Sequence, residues 1–217
     1  MSIASQLQHL IDLGVPALAG RSTEEFIELG AELGESDTAV VAIHPGLLRP
    51  SLLAPLLNRM GKAGFVVVDM ADLDDFTAIA AVEVPDRPLY LLHGLDRGDD
   101  LRNWSPDEAY LELQRRARSP LTISEGISWL LAEPEQLQPN HCFMTIASRR
   151  VKDAKGSLDA RTPAVWISGG TGRDGRASKD APKVGWCWAG NRHTWLGFAS
   201  AASRSCSPRP LALAHDT

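Results

Sequence analysis

Two periods of apolar residues divide this chain. Early stretches repeat at intervals of three and four, and later ones alternate or run unbroken. Ile3, Leu7, Leu10 and Ile11 share one helical face, and Gly14 with Pro16 ends that helix. Phe26, Leu29 and Leu33 repeat the pattern over 22–33, where Ser22 and Glu25 have the spacing of a capping box. The run TAVVAI at 38–43 and the run FVVVD at 65–69 read as strands covered on both faces. A helix over 51–60 is expected between them, so strand, helix and strand predict a βαβ unit with a right-handed crossover. RPLYLLHG at 87–94 reads as a third strand. Ser105, Pro106 and Glu108 open a helix that runs to about Arg118. A short extended segment at 121–123 follows. Ser124 then caps the compact helix EGISWLLAE, which Pro134 closes.

From Asn140 the period is two. CFMTIAS, PAVWISG, KVGWCWAG and TWLGFAS predict an antiparallel sheet with turn-rich connections, and it holds Trp166, Trp186, Trp188 and Trp195. The expected fold class is therefore α/β (α+β overall): a βαβ-type portion within 1–135, continued by an antiparallel, Trp-rich sheet over 140–203. With no Pro/Gly/Ser-rich linker between these parts, residues 1–204 are expected to form one compact domain, and 205–217 a loose tail.

Charge changes the picture. The net charge of −5 divides into 7 Lys and Arg against 18 Asp and Glu over residues 1–110, and 15 against 9 over 111–217. Docking of the acidic half on the basic half explains this best. The other explanation is a basic half that faces an anion. A sequence pI near 5.7 speaks against a dedicated nucleic-acid binder. No run reaches the roughly 18 apolar residues of a membrane span, so no membrane partner is expected. The first residues lack the pattern of a signal peptide and read as a helix, which makes the expected location cytoplasmic. Cys142, Cys187 and Cys206 include no CxxC pair. Buried thiols in a reducing compartment fit them better than a zinc site of Cys142, Cys187 and His193.

Several polar clusters carry candidate chemistry. HGLDRGDD brings His93, Asp96, Arg97, Asp99 and Asp100 directly after a strand, where ligands bind in open α/β sheets. If strands 65–69 and 87–92 are parallel neighbours, Asp69, Asp96 and Asp99 converge on Mg²⁺; otherwise the cluster is a charged turn. SGGTGRDGR at 168–176 sets Gly169 and Gly170 to cradle an anion, with Arg173 and Arg176 beside them. It is neither a Walker loop nor a dinucleotide fingerprint. In WCWAGNRHTW, Asn191 and Arg192 make a tight turn, and His193 is an acid–base candidate. The tryptophans taken singly read as core. A planar ligand could also stack on an indole, with Arg192 on its charge. Glu125, beside Ser124, reads as a helix-dipole partner rather than a catalytic carboxylate, and no GxSxG elbow is present.

The strings HGLDRGDDLRNWSP, PLTISEGISWLL, NHCFMTIASRR, DARTPAVWISGGTGRDGR and PKVGWCWAGNRHTWLGFAS resemble an actinobacterial domain family of unknown function over about residues 1–203. The resemblance implies a bacterial cytoplasmic protein that folds as one unit, and brings no activity or catalytic residue with it. The residues lead to one expectation: an anionic small molecule in a single hollow between the 168–176 and 190–193 turns. Arg161, Arg173 and Arg192 would hold its charge beside Trp166, Gly169, Gly170 and Asn191. His193, Asp96 and Asp99 would add catalysis, with Mg²⁺ on Asp69, Asp96 and Asp99 for phosphoester-type chemistry. The alternative is an interaction module or nucleic-acid-associated regulator that uses the basic half. A homodimer through the Trp-bearing strands is a further expectation.

Overall fold

The computed structural model describes residues 1–207. Helix α1 (Ile3–Asp12) starts at Ser2, whose hydroxyl accepts from the Ser5 amide, and stops before Gly14 at φ 79°. One turn, α2 (Val15–Leu18), leads to α3 (Thr23–Ala31), opened by the expected Ser22–Glu25 capping box. Strand β1 (Val40–Ile43) follows.

The expected helix over 51–60 is only α4 (Pro50–Leu53) and a 3-10 turn, because Pro55 ends the helical ladder. The hairpin β2 (Asn58–Arg59) and β3 (Lys62–Ala63) replaces the rest, turning at Met60 and Gly61, both at positive φ. The strand expected at 65–69 is β4 (Phe65–Val66), followed by a 3-10 turn at Val68–Met70. Strands β5 (Thr77–Ala78) and β6 (Leu89–His93) come next.

Helix α5 (Pro106–Arg115) has the expected cap, with Ser105 and Glu108 bonding each other's amides. After β7 (Ser119–Pro120), helix α6 (Ile123–Ala132) is capped by Thr122 rather than Ser124, and Glu125 closes its capping box. The remaining strands are β8 (Cys142–Met144), β9 (Ser148–Arg149), β10 (Arg161–Ile167), β11 (Pro182–Trp188), β12 (Leu196–Phe198), β13 (Ser200–Ala201) and β14 (Ser203–Ser205).

The mixed α and β class stands, but the βαβ unit does not. β1 pairs antiparallel with β6, Val40 opposite Leu92, and β14 lies antiparallel on the other side of β6. β4 belongs to a different sheet, of order β12-β8-β10-β11-β4. There β8, β10 and β11 are antiparallel, as the alternation suggested. The outer pairs, β12 on β8 and β4 on β11, are parallel. Continuous apolar runs mark burial on both faces, and α helices and a second sheet can supply that cover in either direction.

β1 lies at the edge of its sheet, and side chains complete it. Gln6 of α1 donates to the Ala39 carbonyl at 2.8 Å and accepts from the Val41 amide at 2.9 Å. The Ser128 hydroxyl accepts from the Ile43 amide at 3.1 Å. An edge covered in this way cannot template a foreign strand. Helix α6 is buried from Ile123 to Leu131, packed on β1 and on β10, as an all-round apolar helix must be. The buried cluster runs from Ile3 to Ala201. Among the described residues no helix is long and apolar enough to cross a membrane. Of the tail expected to be loose, Ser205 ends β14 opposite Leu91, and 208–217 lie outside the described residues.

Candidate functional site

The arginines expected to surround one hollow do not. β10 and β11 are paired from Arg161 opposite Trp188 to Ile167 opposite Pro182. The loop at 168–176 therefore leaves one end of this hairpin and the turn at 190–193 leaves the other, about 20 Å apart at about 3.3 Å per residue. Each guanidinium also has a carboxylate. Arg161 bonds Asp72 at 2.6 Å and Asp159 at 2.9 Å, and lies over the Phe76 ring. Its hydrogen bonds hold the Asp159 carboxyl down at about 2 and the Asp72 carboxyl below its usual range. Arg192 pairs with Glu108 and donates to the Asn103 carbonyl. Arg173 reaches Asp69 at 3.4 Å and is otherwise exposed. Only Arg161 and Arg173 approach each other's surroundings, through the carbonyl and the carboxylate of Asp69.

The other expected residues make local contacts. Trp166 lies under the Lys183 ammonium at 5.0 Å and edge-on to Trp195. Gly170, at φ 69°, donates to the Ser168 hydroxyl, and a Cβ there would meet the Lys179 Cβ at 2.5 Å. Gly169 continues that turn. The Asn191 amide closes the expected tight turn on the Trp188 carbonyl at 3.0 Å. Among the described residues the Nε2 of His193 is buried without a partner, and burial pulls the imidazole below its ordinary pKa. The ring meets Trp195 edge-on.

The carboxylates expected to share Mg²⁺ are not assembled, because their strands lie in separate sheets. Asp96 accepts from the Gly98 amide at 2.8 Å and shapes the turn. Burial raises the Asp99 carboxyl, but hydrogen bonds from Arg97 and His141 outweigh it and lower the net value. Asp69 belongs instead to an open cavity of about 620 Å³ with Arg173, Asp174 and Lys183. Among the described residues no group of three His, Cys, Asp or Glu side chains is placed to hold a metal ion. Cys142 is buried, and burial pushes the Cys187 thiol to about 11.

A more enclosed hollow, of about 310 Å³, lies elsewhere, and the sequence did not single it out. Its apolar wall is Pro45, Pro50, Phe76, Ala78 and Val84. Its polar groups come from four places: His44 just after β1, Asp74, β5 and β9 through Thr77 and Ser148, and the first turn of α6 through Thr122 and Ser124. The Nδ1 of His44 accepts from the Gly46 amide at 3.0 Å, which assigns the proton of the neutral ring to Nε2. A Cβ at position 46 would meet that Nδ1 at 2.9 Å, so a larger residue there would displace the His44 ring. Asp74 accepts from the Ser51 amide at 3.0 Å and from its hydroxyl at 2.7 Å. The Ser148 hydroxyl accepts from the Ile123 amide at 2.9 Å.

Beneath this hollow the first turn of α6 is fixed by a buried charge cluster. Glu125, 0% exposed, accepts from the Thr122 amide at 2.7 Å, Tyr90 Oη at 2.9 Å, and Arg204 Nε at 2.5 Å and Nη2 at 2.7 Å. Burial, and then Glu125, push the Tyr90 phenol well above its ordinary value. Burial disfavours the Arg204 charge, and the Glu125 pair more than restores it. Arg204 thereby ties β14 to α6. The signal for the cap was present as Thr122-x-x-Glu125, which places Ser124 inside the helix. Nothing local marks His44 or Arg204.

No curated protein and no solved structure is detectably similar to this chain. The model of a family of unknown function, DUF5701, matches it over residues 9–207, nearly the whole of the described chain. That agrees with the resemblance carried by the central and late strings, and the chain belongs to the DUF5701 family.

Proposed function

We propose that this protein binds a small molecule with an apolar body in the hollow between β1, β5, β9 and the first turn of α6. The observation that supports it most is the hollow itself: about 310 Å³, mostly apolar wall, with His44, Asp74 and Ser124 converging on it. Preformed ligand sites have this character, a concave apolar surface with a few placed polar groups. The three cysteines and the family resemblance favour a bacterial cytoplasm as the setting, and the buried cluster from Ile3 to Ala201 favours one folding unit over 1–204.

The test is a thermal-shift screen of hydrophobic acids, alcohols and amines against the wild type and Ala78→Trp, which fills the mouth of the hollow. Ligand present at a hundredfold excess over its Kd stabilises by about 2.7 kcal/mol. Hits that vanish in Ala78→Trp support the reading. Hits that persist in it, or a screen with none, contradict it.

A second reading keeps the anionic ligand at the Asp69, Arg173 and Lys183 cavity. Arg173 favours it, being 75% exposed with a single contact at 3.4 Å. Asp69 and Asp174 balance the two cations there, so attraction of an anion is modest. Nucleic-acid association through the basic half predicts binding that weakens steeply with salt, which a fluorescence titration at two ionic strengths separates from either cavity.

A further inference from the structure

Ser124 is the second residue of α6, is 2% exposed, and forms part of the wall of the 310 Å³ hollow. Its neighbours in the first turn are satisfied. The Thr122 amide donates to Glu125, the Ile123 amide to Ser148 and the Glu125 amide to Thr122. Among the described residues, neither the amide nor the hydroxyl of Ser124 has a hydrogen-bond partner. The first amides of a helix have no partner within it, and the Ser124 hydroxyl is not sealed from the hollow. Two donors left open on the wall of one hollow suit an acceptor held there.

The surroundings define that acceptor. The N-terminus of a ten-residue helix carries partial positive charge and favours an anion. The negative charge of Glu125 in the same turn is matched by Arg204 at 2.5 Å. His44 brings a further donor, Nε2–H, to the same hollow. Asp74 also lines it, and its charge opposes any anion, a doubly charged group about twice as strongly as a singly charged one. A single negative charge spread over two oxygens fits this set, and the apolar wall fits a hydrocarbon body.

We infer that the hollow takes a carboxylic acid, its carboxylate on the amide and hydroxyl of Ser124 and its chain against Phe76 and Val84. This rests on the binding site proposed above, and names the chemical class that the site selects.

Calorimetry with octanoate, octan-1-ol and octylamine separates the two levels. Octanoate is expected to bind about tenfold or more tighter than octan-1-ol, the difference that charge-assisted hydrogen bonds to one head group supply. Ser124→Ala removes the hydroxyl and keeps the amide, so it should lower the acid-to-alcohol affinity ratio by about threefold or more without abolishing it. Equal binding of acid and alcohol, both lost in Ala78→Trp, overturns the carboxylate assignment and leaves the cavity reading standing. Tightest binding of octylamine also overturns it, with Asp74 as the anchor. No binding of any of the three overturns both. If Ser124→Ala does not fold, the acid-to-alcohol ratio of the wild type decides alone.

Discussion

Replacing Arg204 by Met should destabilise this protein severely, because it leaves a carboxylate without its counter-charge in the core. Glu125 is 0% exposed and accepts four hydrogen bonds, two of them from Arg204. Arg204→Met removes those two, together with the bonds from Arg204 to the Ser119 hydroxyl at 2.5 Å and the Pro120 carbonyl at 2.9 Å. Breaking a buried pair from one side costs about 3–5 kcal/mol. Whole domains are stable by only about 5–15 kcal/mol. At a slope of about 2 kcal/mol per molar urea, the midpoint should fall by about 2 M. The double variant Glu125→Gln with Arg204→Met removes both charges and keeps an acceptor for Tyr90. It should lose clearly less than Arg204→Met alone. Urea unfolding followed by tryptophan fluorescence reads both. A loss under about 1 kcal/mol for Arg204→Met, or a double variant worse than the single, refutes the buried-pair reasoning.

Other expectations follow from single contacts. Gly126→Ala places a Cβ 2.6 Å from Thr145 Cγ2 and 3.1 Å from Phe143 Cε2. The gain in helix propensity, about 1 kcal/mol, loses to overpacking of about 1–3 kcal/mol, so urea denaturation should show net destabilisation. Acid should unfold the chain partly through Asp159. Its folded-state carboxyl is held at about 2 by Arg161, whereas an unfolded one titrates near 4. The unfolded chain takes the proton first, so this stability is present above about pH 4 and is lost towards pH 2. Asp159→Asn should flatten that part of the pH–stability curve. Arg192→Ala removes an exposed pair with Glu108 and should change stability by less than about 1 kcal/mol, with octanoate binding unaltered.

Local rules were legible and long-range ones were not. The capping boxes at Ser22–Glu25 and Ser105–Glu108 follow from side-chain reach within one turn, and both formed as read. The apolar runs at 40–43 and 89–93 revealed burial but not direction, because an unbroken run carries no information about its partner. The pairing expected between strands 65–69 and 87–92 fails for the same reason, and with it the meeting of Asp69, Asp96 and Asp99. The arginine hollow failed on a topological point. Gly-rich turns at the two ends of one hairpin are close in sequence and far apart in space. Arg161 and Arg192, expected to hold an anion, pair instead with carboxylates from distant segments. The hollow at Ser124 is assembled from residues 44 to 148, each ordinary alone, and only packing brings them together.

The most direct measurement is a two-dimensional amide NMR titration of the full chain with octanoate. Saturable shifts are expected, centred on the Ser124 amide and extending to Thr77, Ala78 and Val84 around it. Shifts centred on Arg173 and Lys183, or on Trp188 and Arg192, would contradict the carboxylate assignment, as would an unchanged Ser124 amide at a millimolar excess of the acid.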